Sequence, residues 1–322
     1  MGKVAESLEN WLACGLAQRR TQARIDCCGE RWSRGGIHQR FDAAMANLPE
    51  ESAEAVAEAA STLFADALWL DELIDTLASE LRDDPFFEPP FPPLHTDVHQ
   101  GLVVFQDRRL MIAAGTTGIG PIAARKSARR GPTSVGFTGR LTVLKFLKAG
   151  DALISLWKAP PLKSDFSAAT AGHCTRVGER RLEDGDLIVV DGREQGYVIE
   201  HARSSLVIIQ AEIILDQAPV RAEFDSATGD YVGCSANDDG SSRIQMLTTL
   251  LRKLAAPGAF AAIADFLGHP DFFVRWHAMR ELLGIDVEAA LPHLRHMADQ
   301  DPHPDPRRAA RALLERLERM AA

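Results

Sequence analysis

The chain has 322 residues, a formal net charge of −9 at pH 7, and hydrophobic and charged fractions of 46% and 25%. This length and composition predict two or three globular domains, and the acidity argues against general binding to nucleic acid or anionic membranes. The five cysteines form no C-x-x-C pair, so we expect free thiols in a cytoplasmic protein. No run of ~18 apolar residues occurs, so we expect no membrane span.

The first 90 residues are expected to be helical. The segment 51–82 carries apolar residues at spacings of three and four, which is typical of an amphipathic helix. Ser52 is a suitable helix start. Five prolines between residues 85 and 93 fix an extended backbone and remove hydrogen-bond donors. We therefore predict an N-terminal helical region, 1–90, and a domain boundary at its end.

Residues 91–215 change to short β-rich runs separated by Gly and Asp turns. The runs 101–106 and 110–114 flank a turn and predict a hairpin. Since no helix-sized segment separates the runs, a parallel βαβ sheet is disfavoured and an antiparallel β-barrel or sandwich is expected. The polar, Gly- and Ser-rich segment 216–242 is interpreted as a linker.

The last segment, 243–322, is again helical and contains an internal repeat. The sequence around Val274 and Arg275 recurs 32 residues later around Pro306 and Arg307, each time after a Pro/Asp turn. This pattern resembles HEAT-type repeats, in which stacked helix pairs present a binding surface. The residues expected on the repeat surface are Arg275, Trp276, Arg280 and Arg307, and Arg275 is expected to stack in a polar ladder between repeats.

The β-rich region resembles the cupin jelly roll. Residues 183–192, with Gly185-Asp186 leading a strand, are similar to the second cupin motif, and 147–158 are similar to the first. The resemblance implies an antiparallel barrel, so the predicted fold class is multi-domain α+β. Metal-binding cupins carry His-x-His in the first motif, where this chain has Leu156-Trp157-Lys158. The resemblance therefore implies a barrel without the family's metal.

One local pattern nevertheless suits a metal. On a strand, the side chains of His95, Asp97 and His99 would share a face. Two of them, joined by His173 or His201, would form a set that suits one Fe, Zn or Mn ion. This alternative makes the protein a metal-dependent, cupin-type oxygenase or a related enzyme.

A second local pattern suits an anion. Residues 91–150 contain two acids and nine bases, which is unlike the rest of the chain. Within them residues 115–136 are predicted to form a long loop, in which a Gly-rich stretch precedes a basic cluster. In this arrangement backbone N–H groups and cations can hold phosphate or a nucleotide. The candidates are Gly115, Thr116, Thr117, Gly118, Arg125, Lys126, Arg129 and Arg130.

These observations contain no complete catalytic signature and favour a non-enzymatic binding, regulatory or accessory protein. The preferred hypothesis has no cofactor, a metal-free barrel that holds a small molecule or serves as a scaffold, and repeats that bind another protein. A homodimer is a further option, by analogy with paired cupin barrels.

Overall fold

The computed structural model describes residues 2–48, 50–96, 98–120, 134–163 and 165–321. Helices come first, as predicted: α1 Gly2–Ala13, α2 Gly15–Arg34, α3 Gly36–Ala46, α4 Ala53–Ala65 and α5 Leu68–Asp83. Ser52 caps α4, its hydroxyl accepting from the N–H of Ala55 at 3.2 Å. Segment 51–82 forms two helices because Asp66 has an extended backbone and its carboxylate accepts from the N–H of Leu68 at 3.1 Å.

The middle of the chain is antiparallel β structure, as predicted. Its strands are β1 Pro93–His95, β2 His99–Gln106, β3 Leu110–Thr117, β4 Ser134–Phe137, β5 Leu141–Lys148, β6 Leu153–Lys158, β7 Thr175–Arg181, β8 Leu187–Asp191, β9 Gln195–His201, β10 Leu206–Ile213, β11 Val220–Asp225 and β12 Tyr231–Ala236. The described strands pair as three sheets, in the orders β1-β2-β3-β10-β5-β8, β12-β11-β4 and β7-β6-β9. That they close into a barrel stays a prediction.

The linker prediction for 216–242 is wrong, because this segment contains the hairpin β11–β12. Strand β11 also pairs with β4, so the hairpin belongs to the β domain. Val220, Ala222 and Phe224 alternate with exposed residues and are buried. Alternation over so short a strand is easily hidden by the Gly- and Asp-rich turn that follows it.

The N-terminal helices cover one face of the six-stranded sheet. Phe41 and Phe64 of the helices share a continuous apolar core with Ile112 and Ile209 of the sheet. Phe41 also makes edge-to-face contacts with Trp69 and with Phe105, at ring-centroid distances of 5.1 and 5.4 Å. This face of the sheet is therefore closed, and its opposite face forms the interior of the β domain.

Part of that interior is a second apolar core. Phe146 and Ile208 of the six-stranded sheet pack with Ile154 and Ile199 of the sheet β7-β6-β9. The two sheets therefore face each other, as in a β-sandwich.

The C-terminal helices are α6 Asp239–Lys253, α7 Ala259–Ala264, α8 Phe272–Ile285, α9 Val287–Gln300 and α10 Pro304–Ala321, with a 3₁₀ turn Asp265–Gly268 after α7. They pack around a third apolar core that includes Met279 and Leu294. No helix in the described part of the chain is long and apolar enough to cross a membrane.

Arg275 lies between the repeats, in a polar contact, rather than on their outer surface. Arg275 is 5% exposed, and its guanidinium forms a two-pronged ion pair with the buried Asp301. Arg280 is exposed, whereas Trp276 and Arg307 are half-buried. Arg307 donates to the backbone carbonyl of Asp301. The Pro/Asp turns therefore bind an arginine between successive helix pairs rather than present it to solvent.

Candidate functional site

A cavity of about 450 Å³ lies inside the β domain. Its size is in the range of small-ligand pockets. Strands of all three sheets contribute to the wall, whose polar side chains include His99, Thr117, Thr142, Tyr197, Gln210 and Glu212.

Strand alternation places these polar groups inside the domain. On β10, Ile209 and Ala211 belong to the core beneath the N-terminal helices, so Ile208, Gln210 and Glu212 face the other way. Ile208 enters the interior apolar core, while Gln210 and Glu212 line the cavity. The interior is therefore apolar at one end of β10 and polar at the other.

An ion pair fixes the carboxylate of Glu212. Arg140 Nη1 donates to Glu212 Oε2 at 2.7 Å, and Gln210 Nε2 donates to Glu212 Oε1 at 2.6 Å. The Arg140 and Glu212 side chains are 18% and 25% exposed, so solvent screens their attraction less than at the surface. The negative charge of Glu212 is thus balanced by Arg140.

His99 and Thr117 form a second fixed contact in the wall. The two residues are directly opposite each other on β2 and β3, and His99 Nδ1 lies 2.7 Å from Thr117 Oγ1. A cross-strand pair of this kind holds both side chains in one orientation. The imidazole ring is therefore positioned at the cavity by the sheet.

Tyr197 provides a hydroxyl group with no protein partner. Across the described residues, no hydrogen-bond partner is present for the Tyr197 hydroxyl. Burial, and then the nearby negative charge of Glu212, raise the pKa of Tyr197 to about 12. At neutral pH the phenol is uncharged and can donate one hydrogen bond to a molecule in the cavity.

The structure does not bring the predicted metal candidates together. His95 ends β1 and His99 begins β2, and the chain turns between them, with Thr96 N–H donating to the carbonyl of His99 at 2.9 Å. His173 Nε2 lies 2.9 Å from Asp230 Oδ1 at the exposed surface, and His201 ends β9. Asp97 lies outside the described residues.

Of the four metal candidates that the structure describes, His99 is the one among the cavity-lining residues. In the described ranges of the chain, no group of three or more His, Cys, Asp or Glu side chains could hold a metal ion. The shared-face argument fails because His95 and His99 lie on two strands that pair antiparallel, β1 and β2, rather than on one strand.

The predicted anion loop is also different in the structure. Gly115, Thr116 and Thr117 lie within β3, between β2 and β10. The N–H of Gly118 donates to the carbonyl of Val98 at 2.9 Å. The backbone of 115–117 is therefore engaged in strand pairing, and the N–H of Gly118 continues that pairing just after the end of β3. The basic candidates Arg125, Lys126, Arg129 and Arg130 lie outside the described residues.

Sequence reasoning missed most of the cavity wall. Thr142, Tyr197 and Gln210 were not among its candidates, although one signal was available. Gln210 and Glu212 interrupt an otherwise apolar strand at alternate positions, which indicates a polar patch on one face. The partnership of Arg140 with Glu212 joins residues 72 apart and has no local signal.

A second groove, of about 590 Å³, lies where the HEAT-type helices meet the β domain. Here the His303 ring stacks on Phe272, with centroids 3.8 Å apart and planes 6° apart. His303 Nε2 lies 3.0 Å from the carbonyl of Phe166, and Nδ1 accepts from the N–H of Asp305 at 3.2 Å. These partners suit the neutral ring, and burial lowers the pKa of His303.

Comparisons with known proteins agree with this architecture. The family described as HEAT repeats matches residues 234–315. The C-terminal repeat prediction is thereby confirmed. Since the match begins at β12 and covers about a quarter of the chain, it concerns the repeats alone.

Three solved structures are similar to part of the chain. A cupin domain from Bordetella pertussis Tohama I is 11% identical, with a TM-score of 0.22, over 37% of this chain and 97% of its own. Ectoine synthase from P. lautus is 10% identical, with a TM-score of 0.21, over 38% and 69%. A 7S globulin from Momordica charantia is 12% identical, with a TM-score of 0.25, over 43% and 36%. No curated protein matches.

Proposed function

We propose that the protein is a binding protein, whose β domain holds a small neutral molecule in its cavity and whose HEAT repeats bind a protein. The observation that supports the ligand site is the half-buried Tyr197, which lines the cavity and whose hydroxyl has no protein partner in the described residues. A ligand oxygen can accept a hydrogen bond from this hydroxyl in place of water.

The charges of the wall favour an uncharged ligand. Glu212 is balanced by Arg140, and Arg221 and Glu223 contribute one charge of each sign. The described wall therefore carries no excess charge that would select an ion. Its hydroxyl, amide and imidazole groups instead suit a molecule with several hydroxyl or amide groups, such as a polyol, a monosaccharide or a small amide.

A thermal-shift panel tests this ligand class. The full chain is heated with neutral polyols, monosaccharides and amides, and in parallel with carboxylic acids, phosphate and divalent metal ions. A neutral compound at 100 times its Kd is expected to stabilise the folded state by about 2.7 kcal/mol. Tyr197→Phe should weaken that compound about 5- to 10-fold, because it removes one hydrogen bond worth about 1 kcal/mol.

Two glycine substitutions separate the cavity from the rest of the fold. Gly136 lines the cavity, and a Cβ placed on it would meet no atom within 4 Å. Gly136→Phe should therefore fill the cavity and abolish the stabilisation. Gly178 on β7 has equally open surroundings away from the cavity, so Gly178→Phe is the matched control. Stabilisation by metal ions or anions alone, or full binding by Gly136→Phe, would contradict the proposal.

A further inference from the structure

Thr142 of β5 places a hydroxyl group in the wall of the cavity. The residue is 7% exposed and shares the inner face of its strand with Leu144 and Phe146, which belong to the interior apolar core. Within the described part of the chain, the Thr142 hydroxyl makes no hydrogen bond to another protein group. Because polar groups inside proteins are nearly always paired, this hydroxyl is available to a molecule in the cavity.

Glu212 lies directly opposite Thr142, on the neighbouring strand β10. Side chains in such a pair have β-carbons about 5 Å apart. The Glu212 carboxylate accepts one hydrogen bond on each oxygen, from Arg140 at 2.7 Å and from Gln210 at 2.6 Å. Since a carboxylate oxygen has two acceptor positions, each oxygen keeps a second one among the described residues. The cross-strand pair therefore offers two adjacent acceptor positions and a neighbouring hydroxyl.

These groups match two hydroxyl groups on neighbouring carbon atoms. Each ligand hydroxyl can donate to one oxygen of Glu212, and the Thr142 hydroxyl can donate to one of the two ligand oxygens. A single alcohol fills only one of the acceptor positions. A primary amide carries both N–H bonds on one nitrogen atom, from which they diverge, so it cannot direct both at the same carboxylate. A vicinal diol, in contrast, uses the whole set.

The remaining wall suits the rest of a polyol ring. Tyr197 lies on β9 of the facing sheet and lines the same cavity, so its hydroxyl can bind a further hydroxyl of the ligand. Val190 and Ile199 also line the cavity and can cover the carbon–hydrogen bonds of a ring. The volume of about 450 Å³ accommodates a molecule of monosaccharide size.

We propose that Glu212 and Thr142 form a diol subsite, in which two hydroxyl groups on neighbouring carbons of the ligand bind side by side. The inference rests on the proposed function and narrows its ligand class to monosaccharides and cyclic polyols, without small amides or simple alcohols. Arg140 and Gln210 are positioning residues, because they hold the carboxylate and leave its two other acceptor positions open.

Isothermal titration of the full chain tests the diol subsite. The probes are myo-inositol and common hexoses, deoxy hexoses that lack one hydroxyl of a neighbouring pair, cyclohexanol and acetamide. At least one hexose or inositol should bind. Its Kd should rise about 5- to 10-fold when one hydroxyl of the bound pair is missing, which is the loss expected for one hydrogen bond. This comparison uses the wild-type chain, so it does not depend on the folding of a variant.

Thr142→Val exchanges the hydroxyl for a methyl group of similar size. Because the hydroxyl makes no bond in the described part of the chain, the Tm without ligand should not fall, whereas the Kd for the diol compound should rise about 5- to 10-fold. Thr142→Ser keeps a hydroxyl and should bind as the wild type does. Thr248→Val is the matched control and should leave the Kd unchanged, since Thr248 is 1% exposed on α6 and bonds to the carbonyls of Ile244 and Gln245.

The outcomes separate the subsite from the cavity proposal. Equal Kd values for a diol compound and its deoxy forms, or unchanged diol binding by Thr142→Val, would overturn the subsite. Binding of acetamide or cyclohexanol alone, abolished by Gly136→Phe, would also overturn it but would leave the cavity proposal in place. Binding of none of the neutral compounds would contradict both.

Discussion

Replacing Arg275 with alanine should open the HEAT repeats locally. Its guanidinium donates to both carboxylate oxygens of Asp301 at 2.9 and 2.7 Å, and to the carbonyls of His269 and Pro270 at 2.8 and 2.7 Å. The Arg275 and Asp301 side chains are 6% and 3% exposed. Arg275→Ala would leave a buried charge unpaired, and breaking such a pair costs about 3–5 kcal/mol.

Hydrogen–deuterium exchange measures the free energy of local opening separately for peptides from each helix. For the stated free energy, the opening equilibrium of peptides from α8 and α9 should rise roughly 100- to several-thousand-fold, while α4 keeps its protection. Arg280→Ala is the matched control on the same helix, because Arg280 is exposed and should change stability by less than about 0.5 kcal/mol. An increase below tenfold for Arg275→Ala would refute the assignment of this ion pair as the connection between repeats.

Substitutions at three further positions have expected outcomes in urea unfolding. Because the folded-state pKa of His303 is lowered, its contribution to stability is complete above about pH 6.5 and is lost as the pH falls from there towards the lower folded-state pKa. His303→Gln should remove that part of the pH dependence. An unchanged dependence of the free energy of unfolding on pH would contradict this. Gly139→Ala should destabilise by more than about 1 kcal/mol, since Gly139 has φ +69° and an added Cβ would lie 2.6 Å from the carbonyl oxygen of Val220; a neutral result would refute the contact. Ser52→Ala should cost about 1 kcal/mol through the lost cap of α4, and Ser52→Thr, which keeps a hydroxyl, should cost less.

The broad architecture followed from sequence periodicity. Apolar spacings of three and four indicated helices at both ends, and short β-rich runs between Gly and Asp turns indicated antiparallel strands. The repeat of 32 residues indicated HEAT-type helices, which the family match confirms. These features were visible because each depends on residues that are close together in the chain.

The candidate site was less accessible because it depends on pairing between distant strands. His99 was singled out for the wrong reason, as part of a metal set on one strand, whereas its partner Thr117 comes from β3. Gly115 and Thr116 looked like a loop because Gly and Thr are common in turns. Their strand pairing is fixed by β2 and β10 on either side, which no local pattern reveals.

The buried arginine shows a related limit. The Val-Arg pattern of the repeat located Arg275 correctly, but the sequence does not say whether a charged residue on an amphipathic helix faces solvent. Its burial depends on Asp301, which lies 26 residues away at the end of α9. Since charged residues are buried only when paired, the pair has to be recognised as a unit.

Native mass spectrometry of the chain, purified without chelator, tests the central claim most directly. The proposal predicts one non-covalently bound organic molecule per chain, present in the wild type and in Gly178→Phe and absent from Gly136→Phe. A bound metal ion in place of an organic molecule, or the same masses for the wild type and for Gly136→Phe, would contradict a neutral ligand in the cavity of the β domain.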